Sequence, residues 1–435
     1  MNERTRRKLL LMLLTVAGLE FAFRGPVRTF RYGDFTDFNI SYVASRVWLS
    51  GADPYDPAQF METWVAAGGK GFHDRGSATN TRPAYPPTIL PILAPFGFCR
   101  WPLARTLFSL VLIGLFPFML WSVMRLAKLD FRSNAGLGFT AFALALSPWH
   151  AAIAWQSITA PAVELAILGV ALESILWSGV GTGVVLCLKP QLGGWFLLFE
   201  LTRRRWRHAA CAVAVFAVML SLALLRLPSG WTNSYQDNLH HFFAIGEVND
   251  FTSRNLVRFE LLNLQVVFYY LWPNYQAANI LAWLVTGALL VLWGRAQSNP
   301  SLARVASLAL IGLLPVYQRI YNAGLIVLAL GWAFARWRQK RAKLVLIIAA
   351  LFLVPLTAIL QVLHARNWIT DSVWYHSWWF NVFVGPHATW ALLLMIAVLL
   401  FPEKSSEESP PCSRRCFPTP LRVSGAPESG VNHYS

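Results

Sequence analysis

The chain has 435 residues, of which 56% are hydrophobic and 13% charged. Soluble domains carry about 25% charged residues and about 45–50% apolar residues even with glycine counted, so this composition excludes an ordinary soluble enzyme. Lys and Arg number 37 against 21 Asp and Glu, which gives a formal net charge of +16 with histidine neutral. The placement of these few charges therefore carries most of the information.

The basic residues stand at the edges of long apolar runs, in clusters at 4–8, 203–207 and 336–343. Lys and Arg beside membrane spans mark the cytoplasmic side, whereas a nucleic-acid-binding domain concentrates them on one face or helix. The charge excess thus indicates membrane topology. We expect a lipid bilayer as a partner and no nucleic acid.

The apolar stretch from Leu9 to Phe23 has the basic start and apolar middle of a secretory signal peptide. No small-residue cleavage site follows Phe23, and Glu20 lies near the outer end of the stretch, so a retained first span is favoured. The five cysteines have no metal-ligand spacing and give no disulfide framework. We predict neither a bound metal nor a cofactor.

Since a bilayer crossing needs about 17–25 residues, the apolar runs predict about twelve transmembrane helices in an all-α, polytopic membrane protein. The predicted spans are 9–23, 86–99, 103–124, 135–149, 156–176, 180–200, 208–227, 277–294, 302–317, 321–335, 343–363 and 385–401. An even number places both termini in the cytoplasm. The prediction is strained at 86–99, which is short, and at Arg125, Lys128 and Arg132, which would lie outside. A re-entrant 86–99 would invert the spans that follow.

These spans define the domain organisation. We predict a cytoplasmic basic N-terminus at 1–8, a transmembrane domain at 9–401 and a cytoplasmic tail at 402–435. The tail is rich in Ser, Pro and charge, which is typical of disorder. No internal repeat is evident, which counts against a transporter built of inverted halves.

Three long segments fall on the outer face, at 24–85, 228–276 and 364–384. The first holds six of the 21 acidic residues, and short helices are predicted within it at 37–49 and 58–66. Loops this long are uncommon unless functional, and helices this short lie beside a membrane more often than across it. We expect them to frame a cavity at the edge of the bilayer.

Asp34 and Asp37 stand three residues apart just after the first span. Two carboxylates at that spacing share one helix face, which suits a general base or a metal pair at the water interface. The alternative is that either residue caps the following helix, since Asp is a preferred N-cap. The sequence leaves these alternatives open.

Two lone cations interrupt apolar sequence. Lys189 precedes Pro190 within a run from Val180 to Phe199, where an ammonium costs about 2.5–3.5 kcal/mol and calls for a cavity or a partner. The alternative is a proline-kinked helix whose lysine extends outward. Arg319 falls in a predicted outer turn, where a guanidinium either binds a phosphate through two parallel hydrogen bonds or is solvated.

Five short motifs follow one another along the chain. They are Asp37-Phe-Asn-Ile-Ser-Tyr-Val-Ala-Ser45, Trp48-Leu-Ser-Gly-Ala-Asp-Pro-Tyr-Asp56, Tyr85-Pro-Pro87, Lys189-Pro-Gln191 and Tyr317-Gln-Arg-Ile-Tyr-Asn322. In order and spacing they resemble glycosyltransferase family 87, which belongs to the GT-C membrane glycosyltransferases and includes polyprenol-phosphate-mannose-dependent α-1,2-mannosyltransferases. The resemblance spans roughly residues 9–401 and implies a GT-C-like fold.

The resemblance implies an inverting transfer of mannose, or a related hexose or pentose, from a polyprenyl-phosphate donor. The acceptor is a glycan or glycolipid at the extracytoplasmic face of the cell membrane, and neither a nucleotide sugar nor an obligatory metal takes part. Asp37 aligns with the catalytic aspartate of the family and serves as general base. Asp34 orients or binds the acceptor, while Arg319 and Lys189 bind the donor phosphate.

The resemblance and the motifs give further candidate substrate-binding residues, namely Tyr42, Tyr85, His240, Gln318, Tyr321, Asn322 and His376. Tyr42 matches the second tyrosine of the family pattern Asp-Phe-x-x-Tyr-Tyr. Relatives often read Tyr-His-Arg-x-Tyr-Asp where this chain has Gln318 and Asn322. We therefore expect His240, His241 or His376 to replace the missing histidine.

Two other functions are compatible with the same residues. A transporter or flippase of lipid-linked sugars also suits a buried Lys189. An inactive membrane scaffold of the same fold follows if the departures at Gln318 and Asn322 silence the site. The lack of repeats and the acidic first loop favour the transferase over the transporter.

Overall fold

The computed structural model describes residues 2–31, 36–69, 82–172, 174–296 and 301–401, and within these ranges every regular element is helical. The predicted tail at 402–435 lies outside the described residues. In the first half of the chain the α-helices are α1 Glu3–Arg24, α2 Pro26–Arg31, α3 Asp37–Leu49, α4 Pro57–Ala66, α5 Ile89–Gly97, α6 Trp101–Ala127, α7 Asn134–Leu144, α8 Ser147–Ala154, α9 Thr159–Ala171 and α10 Ile175–Leu188. In the second half they are α11 Pro190–Thr202, α12 Trp206–Leu224, α13 Trp231–Phe242, α14 Gln265–Leu271, α15 Tyr275–Arg295, α16 Ser301–Ile311, α17 Ile326–Ala335, α18 Lys340–Ala350, α19 Leu356–Ala365 and α20 His387–Leu400.

Several of these helices are fit to cross a membrane. Among the described residues, four helical segments are long and apolar enough to do so, and they correspond to α1 with α2, α6, α12 and α15. A fifth candidate is the pair α7 and α8, which is bent by 49° at a short break. Six further apolar helical segments have only 10–17 residues. The chain is thus a multi-pass membrane protein in which many apolar helices are short or broken.

The predicted span 180–200 is wrong as one helix. The chain breaks at Lys189, whose φ of −148° and ψ of 85° leave the helical region, because a proline disfavours the α conformation of the residue before it. The chain then reverses, so that α10 and α11 form a hairpin with Lys189 at its tip. A Cβ on Gly193 would lie 2.6 Å from the Leu186 backbone, which shows how closely the two arms approach.

The predicted span 86–99 is also wrong, since α5 has only nine residues, about 14 Å of helix. Instead of crossing a membrane, α5 is fastened to α3 in the first predicted outer segment. Arg46 Nη1 donates to the carbonyls of Gly97 and Cys99, each at 3.0 Å, and Tyr42 Oη donates to Cys99 O at 2.8 Å. Compared with the predicted spans, the structure therefore has one additional helical arm at 190–202 and lacks the predicted span at 86–99.

The basic runs at 4–8, 125–132 and 336–343 lie at one end of the helical bundle. Arg6 stacks over Trp337 at 4.9 Å, which places the N-terminal cluster beside the cluster at 336–343. Gly331 lies against Val123 and Ala127 near the end of α6. The run 125–132, which the twelve-span prediction put on the opposite side, therefore lies at the basic end. Reading 86–99 as part of a loop removes this conflict.

The other end of the bundle is covered by the predicted outer segments. The predicted helices at 37–49 and 58–66 are confirmed as α3 and α4. Helix α13 docks on the first segment, because Asn238 Nδ2 donates to Tyr55 O at 2.8 Å and to Pro83 O at 3.2 Å. Arg258 Nη2 donates to Asn381 Oδ1 at 2.9 Å and so joins the second segment to the third. The three segments together build a polar layer on this end.

Candidate active site

A cavity of about 940 Å³ lies beneath this polar layer, at the end of the bundle away from the basic runs. Its wall includes Asp37, Tyr85, Lys189, Arg319 and Tyr321. These five residues lie up to 284 positions apart in the sequence and come from four of the five motifs. The cavity is large enough for a drug-sized ligand or more. The structure thus brings five of the eleven predicted site residues together in one cavity wall, while their roles stay predictions.

Asp37 presents a free carboxylate to this cavity. It is the first residue of α3, and its backbone N–H donates to Trp155 O at 2.8 Å. Thr36 occupies the N-cap position and makes no capping hydrogen bond with its side chain. Asp37 Oδ2 is buried and has no hydrogen-bond partner among the described residues. Asp37 is therefore not a cap, and its carboxylate is available to a ligand. Asp34 lies outside the described residues.

Gln156 fixes the start of α3, and its role was not predicted. It is fully buried with a positive φ of 49°, which is uncommon for a residue other than glycine. Its Oε1 accepts from Thr36 Oγ1 at 3.0 Å, while its Nε2 donates to Arg105 O at 2.9 Å and to Ser109 Oγ at 2.7 Å. The amide thereby ties the residue before Asp37 to α6.

Lys189 sits at the hairpin tip and is 5% exposed. Its Nζ lies 5.7 Å from the centre of the Tyr321 ring, and within the described residues it forms no hydrogen bond or ion pair. Asp37 and Arg319 lie close enough to act on its charge. Thr88 Oγ1 donates to Cys187 O at 2.9 Å and so fastens the tip to the segment that carries Tyr85. The ammonium faces the cavity and forms an ion pair with no carboxylate of the described residues.

Arg319, by contrast, is held by the protein through three hydrogen bonds. Its Nη1 donates to Glu260 Oε2 at 3.2 Å, its Nε to Tyr317 Oη at 3.0 Å and its Nη2 to Val248 O at 3.3 Å. Gln361 Nε2 donates to the other oxygen of Glu260 at 3.1 Å. Glu260 was not predicted as a site residue. Its carboxylate offsets the charge of Arg319, so Lys189 is the less compensated of the two cations.

A short extended pair explains which side chains near Arg319 reach the cavity. Leu262 N donates to Gln318 O at 2.8 Å, Leu264 N donates to Leu314 O at 2.9 Å, and Leu261 pairs with Arg319 in an antiparallel bridge. Successive side chains of an extended chain point to opposite faces. Tyr317 and Arg319 accordingly line the cavity, whereas Gln318 between them turns into the core.

Gln318 and Asn322 do not line the cavity, contrary to the substrate-binding role predicted for them. Each is 1% exposed, and Asn322 Nδ2 donates to Gln318 Oε1. The two amides thus partner each other in the interior. The departures from the family pattern at these two positions therefore lie in the core and not in the cavity wall.

Three other predicted residues also lie away from the cavity. Tyr42 is fully buried behind it and holds the end of α5, as described above. His240 and His376 are exposed on the outer segments and do not line the wall. The histidines that do line it are His150 and His387. His150 lies within α8 and His387 begins α20, both in apolar sequence that gave no signal.

Tyr85 contributes a neutral hydroxyl to the cavity. Burial raises the pKa of Tyr85 well above its ordinary value, and the negative charge of Asp37 raises it further. The backbone carbonyl of Tyr85 accepts from Tyr55 Oη at 3.1 Å, which fixes the entry to α5. The phenol therefore remains protonated and is able to donate a hydrogen bond to a ligand.

The described residues contain no group of three or more His, Cys, Asp or Glu side chains placed to hold a metal ion. A metal pair held by Asp34 and Asp37 stays a prediction, because Asp34 lies outside the described ranges. Within those ranges the charged groups facing the cavity include carboxylates, an ammonium and guanidiniums.

Comparison with known proteins identifies the family of the chain. The model of glycosyltransferase family 87 matches residues 84–316. A protein of Mycobacterium tuberculosis strain H37Rv described as a polyprenol-phosphate-mannose-dependent alpha-(1-2)-phosphatidylinositol mannoside mannosyltransferase is 26% identical over 422 residues, covering 90% of each chain. No solved structure matches. The family resemblance seen in the five motifs is thereby confirmed.

Proposed function

The chain belongs to glycosyltransferase family 87, and on this premise we propose that it transfers mannose from a polyprenyl phosphate to a hydroxyl of a glycolipid acceptor. The observation that carries the proposal is that one cavity holds both the Asp37 carboxylate, whose Oδ2 has no hydrogen-bond partner, and the Lys189 ammonium, which forms no ion pair with a described residue. The printed description of the mycobacterial relative supports both the donor and the class of acceptor.

In the proposed reaction, Asp37 takes the proton of the acceptor hydroxyl as its oxygen attacks the anomeric carbon of the donor. The new glycosidic bond forms while the bond between that carbon and the phosphate oxygen breaks, and the polyprenyl phosphate departs with the electron pair. A single displacement inverts the anomeric configuration, as in inverting glycosidases. A carboxylate without a hydrogen-bond partner is suited to the role of base.

Negative charge grows on the phosphate as it leaves, and a cation fixed in advance lowers the barrier to that step. Lys189 is the first choice for this role because no carboxylate of the described residues pairs with it. Arg319 acts beside it, with a charge already reduced by Glu260 at 3.2 Å. The Tyr85 hydroxyl supplies a further donor on the same wall.

We further propose that the basic end of the bundle is cytoplasmic and that the cavity opens at the outer face of the cell membrane. Support comes from the gathering of the runs at 4–8, 125–132 and 336–343 at one end, since Lys and Arg are retained on the cytoplasmic side. The cavity lies at the opposite end. This places the donor sugar in the extracytoplasmic compartment.

The test is transfer by the purified full chain in lipid nanodiscs, with polyprenyl-phosphate-[¹⁴C]mannose as donor and a synthetic alkyl dimannoside as acceptor. We expect a radiolabelled alkyl trimannoside from the wild type and a loss of about 10²–10⁴-fold in kcat for Asp37→Asn. Asp237→Asn, on an exposed face of α13, is the matched control and should retain full activity.

Full transfer by Asp37→Asn would remove Asp37 from the role of base. If the wild type moved labelled mannosyl lipid across proteoliposomes and formed no glycosidic bond, the proposed reaction would fall and a flippase would take its place. Anomeric analysis of the product by NMR checks the inversion, because a retained configuration is incompatible with a single displacement.

A further inference from the structure

One part of the cavity is lined by four carboxamide side chains, those of Asn249, Asn263, Gln265 and Asn279. We call this part the amide pocket. Asn263 follows Leu262, whose N–H donates to Gln318 O at 2.8 Å. Asn263 itself lines the cavity, as Tyr317 and Arg319 do.

The amide pocket is held together by a continuous set of contacts. Gln265 Nε2 donates to Asn279 Oδ1 at 3.2 Å and to Pro315 O at 2.7 Å, and Asn279 Nδ2 donates to Tyr275 O at 3.1 Å. The Tyr275 ring stacks on Phe251 with centroids 4.4 Å apart, and both rings line the cavity. The pocket wall is thus built from α14, the start of α15 and the loop before residue 258.

Three carbonyl oxygens in this wall accept no hydrogen bond from any described residue. They are Asn249 Oδ1, Asn263 Oδ1 and Gln265 Oε1, on side chains that are only 2–3% exposed. Gln265 uses both hydrogens of its Nε2 on the protein, which leaves its oxygen as an acceptor. Buried acceptors without donors are unfavourable, and they persist in native proteins where a ligand or ordered water supplies the donors.

The chemistry of the missing ligand follows from these acceptors. A phosphate or carboxylate offers no hydrogen to donate, so an anion does not satisfy them. A cation is disfavoured because Arg319 lines the same cavity. A sugar ring is neutral, donates several hydrogen bonds through its hydroxyls and presents an apolar face that packs on aromatic rings such as Tyr275. Asn and Gln are suited to such hydroxyls.

We propose that the amide pocket is a binding subsite for a neutral hexose ring, recognised through its hydroxyl groups by Asn249, Asn263 and Gln265. The proposal rests on the proposed function for the identity of the sugar as a mannose. The ring belongs either to the donor or to the acceptor, since both carry the same free hydroxyls. The acceptor oxygens act on binding and take no part in proton transfer.

The first test measures binding without turnover. Octyl α-mannoside is titrated into the full chain in nanodiscs and its dissociation constant is measured by saturation-transfer NMR. We expect Asn263→Leu and Gln265→Leu, which keep the side-chain volume and remove the acceptors, to raise the dissociation constant at least about tenfold, the effect of one lost hydrogen bond. Asn233→Leu on an exposed face of α13 is the matched control and should bind as the wild type does.

Asn263→Asp separates loss of binding from loss of folding. It keeps two acceptor oxygens in the same position, so we expect the dissociation constant to stay within about threefold of the wild type. Unchanged binding in Asn263→Leu and Gln265→Leu overturns the proposal. Equal loss in Asn263→Asp and Asn263→Leu overturns it as well, because the acceptor chemistry would then be irrelevant.

Kinetics distinguish the two sources of the sugar. A raised KM for the alkyl dimannoside alone assigns the pocket to the acceptor, and a raised KM for the polyprenyl-phosphate mannose alone assigns it to the donor. Asp37→Asn should bind octyl α-mannoside normally while losing transfer. If the chain binds the mannoside through Asn263 but shows no transferase activity, the subsite proposal stands and the proposed reaction is wrong.

Discussion

The ammonium of Lys189 rests 5.7 Å from the centre of the Tyr321 ring and has no carboxylate partner among the residues that the structure describes. An aromatic face stabilises a cation by about 0.5–2 kcal/mol and leaves its charge in place. A carboxylate would neutralise it. The hairpin α10–α11 therefore holds at the cavity wall an ammonium that is able to bind an anionic ligand.

Replacing Lys189 with Met should slow transfer from the polyprenyl-phosphate donor. Because the lost charge matters most as the phosphate leaves, we expect kcat/KM for the polyprenyl-phosphate donor to fall by about 10²-fold, with a larger effect on kcat than on KM. Lys189→Arg should recover part of this loss. Steady-state kinetics with varied donor provide the measurement, and an unchanged kcat in Lys189→Met would assign the phosphate to other groups.

Removing the carboxylate of Glu260 should strengthen binding of the anionic donor, the opposite of the effect expected for Lys189→Met. Glu260→Gln keeps the hydrogen-bonding shape and deletes the charge that offsets Arg319, so the cavity becomes more positive by one charge. We expect the KM for the anionic donor to fall by a few-fold and to rise more steeply with salt than in the wild type. Initial rates at several donor and salt concentrations measure this. A higher KM in Glu260→Gln would show that Glu260 itself contacts the substrate.

The hairpin can be tested by a pair of neighbouring glycines. A Cβ at Gly193 would meet the Leu186 backbone at 2.6 Å, whereas one at Gly194 has nothing within 4 Å. Gly193→Ala should therefore force the arms apart and destabilise the chain by about 1–3 kcal/mol. Gly194→Ala should be neutral. Thermal unfolding in detergent, together with transfer activity, is the readout, and equal behaviour of the two variants would contradict the close approach.

Cysteine labelling tests on which side of the membrane the run 125–132 lies. In a chain cleared of its five native cysteines, Arg132→Cys should react with a membrane-impermeant maleimide only in inside-out vesicles. Asn233→Cys on α13 should react only in right-side-out vesicles. Labelling of both positions from the same side would show that the proposed topology is wrong for the segment around Arg132 or for the segment around Asn233.

Sequence alone predicted the all-α architecture, and the family resemblance predicted that Asp37, Lys189 and Arg319 serve one site, with Tyr85 as a further candidate. The cost of charged groups beside apolar helices points the same way, because it falls when they share a polar space. The helices α3 and α4 were predicted as well, since Pro57 and the Gly51 turn mark their limits.

Other features carried no such signal. Hydrophobic runs have the same composition whether a helix continues or folds back, so the reversal at Lys189 was taken for a single span. The engagement of Arg319 by Glu260 joins positions 59 apart, which spacing does not reveal. Gln318 turns into the core because the backbone there is extended and its side chains alternate between two faces. A sequence predicted to be helical gives no reason to expect such an alternation. The buried Gln156 gave a weak signal as an amide in an apolar run.

The mutual hydrogen bond of Gln318 and Asn322 bears on how homologous chains are read. A buried amide that loses its counterpart leaves an unmatched group in the interior, so an exchange at one position favours a compensating exchange at the other. Homologues are then expected to covary at these two positions, pairing histidine with aspartate or glutamine with asparagine. A motif search that scores each position separately would class such chains as degenerate enzymes, although neither position lines the cavity.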